Sequence, residues 1–130
     1  MVSYRVFLSS LLWAALLSIA SAGSSSDCKV VGLRVAPPSA TVEHTAAAPA
    51  NSQIFNASYR LGGGNGPCPA NTAMMVNANW TASDPSVRLS AKQGMQVTAT
   101  CTAALAKPVT ITATSASGQK FTGQATLVCK

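Results

Sequence analysis

From Val31 to Cys129 the chain repeatedly alternates apolar with polar residues, a period of two that predicts half-buried β-strands. Val31, Leu33 and Val35 alternate with Val30, Gly32 and Arg34, and Pro37-Pro38 stops that run. Phe55, Ala57, Tyr59 and Leu61 alternate with Ile54, Asn56, Ser58 and Arg60. Met74, Val76, Ala78 and Trp80 form the next apolar set, and Met95, Val97, Ala99 and Cys101 follow a turn region at Ser83 to Ser86. The series closes with Val109, Ile111 and Ala113, then Phe121, Gly123, Ala125, Leu127 and Cys129. Each of these sets is expected to face a core, and Ser117-Gly118-Gln119-Lys120 is expected to turn the last hairpin.

No segment after the first twenty-odd residues carries a helical stripe. Short strands separated by Gly, Pro, Asn and Ser turns belong to sandwiches and barrels, not to βαβ folds. One wet and one buried face per strand fits two packed sheets. Roughly a hundred residues make one domain, a size typical of immunoglobulin-type sandwiches. The expected fold is therefore all-β, an immunoglobulin-like antiparallel β-sandwich of about seven strands.

The start of the chain changes this picture. Arg5 precedes an apolar run from Val6 to Ala20, and Ala20-Ser21-Ala22 supplies a small-residue cleavage site. That is the layout of a secretory signal peptide over residues 1–22, leaving a leader at 23–27 and the domain at 28–130. The run is shorter than the ~20 apolar residues of a spanning helix and is interrupted by Ser9, Ser10 and Ser18. The mature chain is expected to carry no transmembrane segment and to be secreted or periplasmic. Lipidation of Cys28 is disfavoured, because Ser25-Ser26-Asp27 lacks a small-apolar lipobox and an odd number of cysteines would remain. In an oxidising compartment Cys28, Cys68, Cys101 and Cys129 read as two disulfides, and no C-x-x-C pair argues for zinc.

The formal net charge is +6, and loss of Arg5 leaves eight basic and three acidic residues. In sequence the basic residues are scattered, so no nucleic-acid partner is expected, and weak attraction to acidic polymers or an anionic envelope is what the charge allows. Catalytic partners are few. His44 is the only histidine, and Glu43, Asp84 and Asp27 are the only acids available to orient it; no G-x-S-x-G elbow is present. The run Gly62-Gly63-Gly64-Asn65-Gly66 lacks the Lys-Ser/Thr of a phosphate loop and reads as a connection pinned by Pro67-Cys68-Pro69. Met74, Met75, Met95 and His44 are soft ligands that bring copper to mind, but Met74 and Met95 have the parity of core gap-fillers. The acids are too few and too separated for calcium. Trp80, Phe55, Tyr59 and Phe121 all have inward parity, which leaves no aromatic for stacking on a sugar. No catalytic, cofactor or metal residue is therefore assigned.

Val31 to Val42 with its Leu-x-Val-x-Pro-x-Ser-Ala-Thr-Val order, the block Trp80-Thr81-Ala82-Ser83-Asp84-Pro85-Ser86-Val87, and Val109-Thr110-Ile111-Thr112-Ala113-Thr114-Ser115 resemble the bacterial immunoglobulin-like domain, group 2. The four cysteines, the Gly62 to Pro67 loop and Ala106-Lys107-Pro108 depart from that pattern. The resemblance implies a spacer or binding module of surface adhesins and secreted polysaccharide-acting enzymes. It implies a bacterial source, in which the acceptor patterns at Asn56 and Asn79 carry no glycan. In such a sandwich Cys28 is expected to meet Cys68 at one end, and Cys101 to meet Cys129 at the other, the latter pair sharing inward parity. The function expected is an exported, non-catalytic structural or interaction module with a protein or polysaccharide partner. The alternatives are a small carbohydrate or copper binder and a secreted inhibitor using Pro67-Cys68-Pro69 as bait.

Overall fold

The computed structural model describes residues 28–62 and 74–130, which form strands and turns without a helix. In chain order the strands are β1 (Lys29–Ala36), β2 (Ser39–Val42), β3 (Ser52–Gly62), β4 (Ala78–Ala82), β5 (Val87–Leu89), β6 (Gln93–Gly94), β7 (Gln96–Cys101), β8 (Val109–Ser115) and β9 (Thr122–Cys129). They make two sheets, ordered β1-β3-β7-β5 and β2-β9-β8-β4-β6. The two sheets pack face to face as a β-sandwich.

Alternation fills the space between the sheets in rows. The first sheet contributes Leu33, Val35, Phe55, Ala57, Val87, Val97, Ala99 and Cys101. The second contributes Val42, Ala78, Trp80, Val109, Ile111, Ala113, Ala125, Leu127 and Cys129. Small and large residues stand opposite one another, as in the row Gly123, Ala113, Trp80 across β9, β8 and β4. The indole is 2% exposed, and its Nε1–H donates to the Gly94 carbonyl at 2.9 Å, so the buried ring leaves no polar atom unpaired. Ser115 is the one buried polar residue among those described. Its hydroxyl donates to the Gln119 carbonyl and accepts from the Phe121 amide, each at 2.9 Å, closing the β8–β9 turn around Gly118. Gly118 has φ of 72°, a conformation that L-residues with a side chain rarely adopt.

The structure departs from the expected fold in four places. The described residues form nine strands where about seven were expected, because short β2, β5 and β6 stand apart from the main runs. The sandwich is not wholly antiparallel: after the Ala36-Pro37 and Pro38 corner, β2 crosses to the second sheet and pairs with β9 in parallel. Val31 is 49% exposed, since the β1–β3 register shifts between Val30 and Gly32 and leaves Val31 as the unpaired bulge residue. Met74 and Met95 are also exposed. Residues 74–77 lie outside any strand and meet β3 at the isolated Ser58–Met75 bridge, where Tyr59 N–H donates to Met74 and Val76 N–H to Ala57. Met95 lies between β6 in one sheet and β7 in the other, where the alternation of β7 has not begun.

The two sheets approach most tightly where β1 crosses β9. A Cβ on Gly123 would stand 2.6 Å from the Leu33 carbonyl oxygen and 2.8 Å from Leu33 Cδ2. Gly123→Ala is thus expected to destabilise the domain by roughly 1–3 kcal/mol, because backbone and not a flexible side-chain tip must move. Gly32→Ala is the control, since nothing lies within 4 Å of its added Cβ. Urea denaturation checks the pair, and equal midpoints for both variants would show that the crossing is not tight.

Candidate functional site

The Cys101–Cys129 pairing expected of such a sandwich, and supported by shared inward parity, is present, with Cα atoms 5.8 Å apart and both residues buried. It joins β7 of one sheet to β9 of the other. Cys28 is also disulfide-bonded. It precedes Lys29, which pairs with Gly62 at the far end of β3, so it lies at the opposite end of the sandwich from Cys101. Cys68, its expected partner, lies outside the described residues, as do the Gly63 to Pro69 connection, the expected signal peptide at 1–22 and the leader at 23–27 with Asp27.

The residues weighed for catalysis are occupied in turns. The His44 backbone N–H and its ring Nδ1 both reach the Lys130 oxygen, at 2.8 and 2.7 Å, while the Lys130 N–H donates to Val42. The imidazole therefore clasps the end of β2 to the end of β9. Asp84 Oδ1 accepts the Ser86 N–H at 2.8 Å and its carbonyl accepts from Val87, an Asx-type turn in which Pro85 sits naturally. No hydrogen bond joins His44 to Asp84 or to a serine hydroxyl among the described residues.

The soft donors are likewise separated. Met74 accepts from Tyr59, Met75 bridges Ser58, and Met95 accepts from Ala57, which draws all three methionine backbones to one stretch of β3. Adjacent residues of an extended chain point to opposite sides, so Met74 and Met75 diverge. His44 stands at the Cys101 end, where the Cys101 amide donates to Asn51. Tyr59 lies eight residues further along β3, roughly 25 Å away. No group of three or more His, Cys, Asp or Glu side chains gathers among the described residues.

What the strands do assemble is a pair of contrasting outer faces. On the second sheet the outward rows are Thr126 beside Thr110, then Gln124, Thr112 and Thr81, then Thr122, Thr114 and Asn79, a surface of hydroxyls and amides without charge. On the first sheet the outward positions include Arg34 and Lys29 on β1, Asn56, Ser58 and Arg60 on β3, Gln96, Thr98 and Thr100 on β7, and Arg88 on β5. All four of these cations are exposed. The basic residues that look scattered along the sequence thus bring every arginine of the described domain to one face, because Arg34, Arg60 and Arg88 share outward parity in strands of one sheet. Periodicity gives each strand's parity; only the sheet order reveals that the three belong together.

Every aromatic residue of the described domain is turned inward. Phe55 and Trp80 are buried, and Tyr59 and Phe121 pack edge to face with centroids 6.2 Å apart. Neither outer face offers a ring for stacking.

Loss of the inter-sheet bridge in Cys101→Ala/Cys129→Ala is expected to cost about 3–4 kcal/mol by the loop-entropy estimate for a separation of 28 residues. His44→Ala, which removes one half-exposed side-chain hydrogen bond, is expected to cost about 0.5–1.5 kcal/mol. Thermal denaturation of both variants checks the order, and a larger loss for His44→Ala would contradict the roles assigned here.

No family model, curated protein or solved structure matches the chain.

Proposed function

We propose that this chain is an exported, non-catalytic β-sandwich domain that works as an interaction module at or outside the cell envelope, of the kind the group 2 bacterial immunoglobulin-like resemblance implies. One observation carries the reading. Its titratable side chains serve turns and clasps or stand exposed on outer faces, while the two broad faces are chemically distinct, one cationic and one a neutral hydroxyl array. Such a division suits recognition by surface and not turnover in a cleft.

Export is supported by the bonded state of Cys28, Cys101 and Cys129, which belongs to oxidising compartments, together with the signal-like residues 1–22. No helix among the described residues is long and apolar enough to cross a membrane. Inward-turned aromatics and separated soft donors weigh against neutral-sugar stacking and against a copper centre, and the bait loop of an inhibitor falls outside the described residues.

The oxidised chain, mixed with the insoluble envelope fraction of its source cells, is expected to co-sediment reversibly and to release no product. Two results would overturn the reading: no retention, or turnover of an ester, peptide or glycosidic substrate that His44→Ala abolishes.

A further inference from the structure

Resting on that reading, we infer that the outer face of the β1-β3-β7-β5 sheet docks a linear polyuronate, a polysaccharide bearing carboxylates on its sugar rings. The cations define the site. Arg34 pairs in register with Ser58, two residues from Arg60, and Lys29 pairs with Gly62, two residues beyond it. With strands ~4.8 Å apart and ~3.3 Å of rise per residue, Arg60 stands about 8 Å from each of the other two. Arg88 pairs with Thr100, which pairs with Ser52, so a fourth cation lies roughly 28 Å away across the same face. Glu43 and Asp84, the acids of the described domain, lie in turns and not on this face.

Gly32 adds to the shape of the site. It stands directly opposite Arg60 and carries outward parity, yet its φ is not positive and a Cβ there would meet nothing within 4 Å. Gly32 flanks the bulge at which the β1–β3 register shifts, and the space above it is open. Its effect is to leave the sheet bare beside Arg34 and Arg60, where a ligand can approach the backbone.

Charge complementarity and the neutral neighbours select the occupant. Guanidinium groups take carboxylates in a planar, two-bond geometry. Around the exposed Ile54, which pairs with Thr98, the neighbours Asn56, Ser58, Gln96, Thr98 and Thr100 between the cations offer donors and acceptors to sugar hydroxyls. Widely spaced cations interleaved with such groups match a polymer whose charges are separated by hydroxylated rings. A duplex carries a charge every ~1.7 Å and is read by an element that enters a groove, whereas this face is broad. Unpaired bases need stacking aromatics, which here are buried or paired inside. Lipid recognition draws on clusters of ~4–8 basic residues, and three neighbours fall short.

Titration calorimetry of the full oxidised chain with alginate oligosaccharides tests this inference. Binding is expected at low salt, with weakening as ionic strength rises from about 50 to about 200 mM. Arg34→Ser/Arg60→Ser is expected to lower affinity about tenfold or more, given the strength of charge-assisted hydrogen bonds. Lys107→Ser/Lys120→Ser removes the same charge from loops elsewhere and should leave affinity within about twofold, a residual set by screened long-range attraction. Gly32→Val should lower affinity while its melting temperature stays at or above that of the parent, a split that a merely structural glycine would not give. Equal losses in the two double variants, or tighter binding to duplex DNA, to dextran sulfate, which carries no carboxylate, or to vesicles of anionic lipid, would overturn the inference. Absence of alginate binding in a chain still retained by envelope would overturn it too, while leaving the interaction-module reading in place.

Discussion

The structure depends on holding two sheets in one register, and the constraint that does so is the close crossing of β1 over β9, where only glycine at 123 lets the Leu33 carbonyl lie against the strand. The Cys101–Cys129 bridge fixes the same relation at one end by tying β7 to β9. Between these points side chains fill rows whose volumes complement one another, Trp80 against Ala113 and Gly123 being the plainest case. Protein interiors tolerate little empty or excess volume, so the rows leave one alignment of the sheets. Everything on the outer faces follows from that alignment.

A strand's alternation sends half of its side chains outward, and register decides which of them become neighbours. A slip of one residue in β3 would bury Arg60 and expose Phe55 and Ala57, a change the core could not accept. The cationic face and the hydroxyl face are therefore by-products of the same packing that makes the core. Their chemistry is free to vary, since outward positions contribute little to stability. Arginines collect on one face, and threonines predominate on the other.

Much of the fold was legible along the chain. The inward sets of β7, β8 and β9 follow period-two alternation without interruption from Val97 to Cys101 and from Val109 to Ala113, and that parity agrees with the Cys101–Cys129 pairing implied by the sandwich. The illegible parts are those where the backbone departs from a regular ladder. The bulge at Val31 inverts parity for one residue, and nothing in Lys-Val-Val-Gly-Leu marks which valine is unpaired. Met74 and Met95 carry core-like side chains at core-like spacing, but they fall where the chain enters or changes sheets, and tertiary context decides their exposure. The candidate binding face was hidden for another reason. Arg34, Arg60 and Arg88 are far apart in sequence, and only the order β1-β3-β7-β5 makes them one surface.

Central to this account is the register that puts those arginines on one face and the threonines on the other. A nuclear Overhauser spectrum of the oxidised domain measures it directly through contacts between backbone protons on neighbouring strands. The account predicts cross-strand contacts linking Arg60 with Gly32, Arg34 with Ser58, Arg88 with Thr100 and Thr112 with Thr81. Contacts displaced by one residue, such as Arg60 with Leu33 or Thr112 with Trp80, would contradict it.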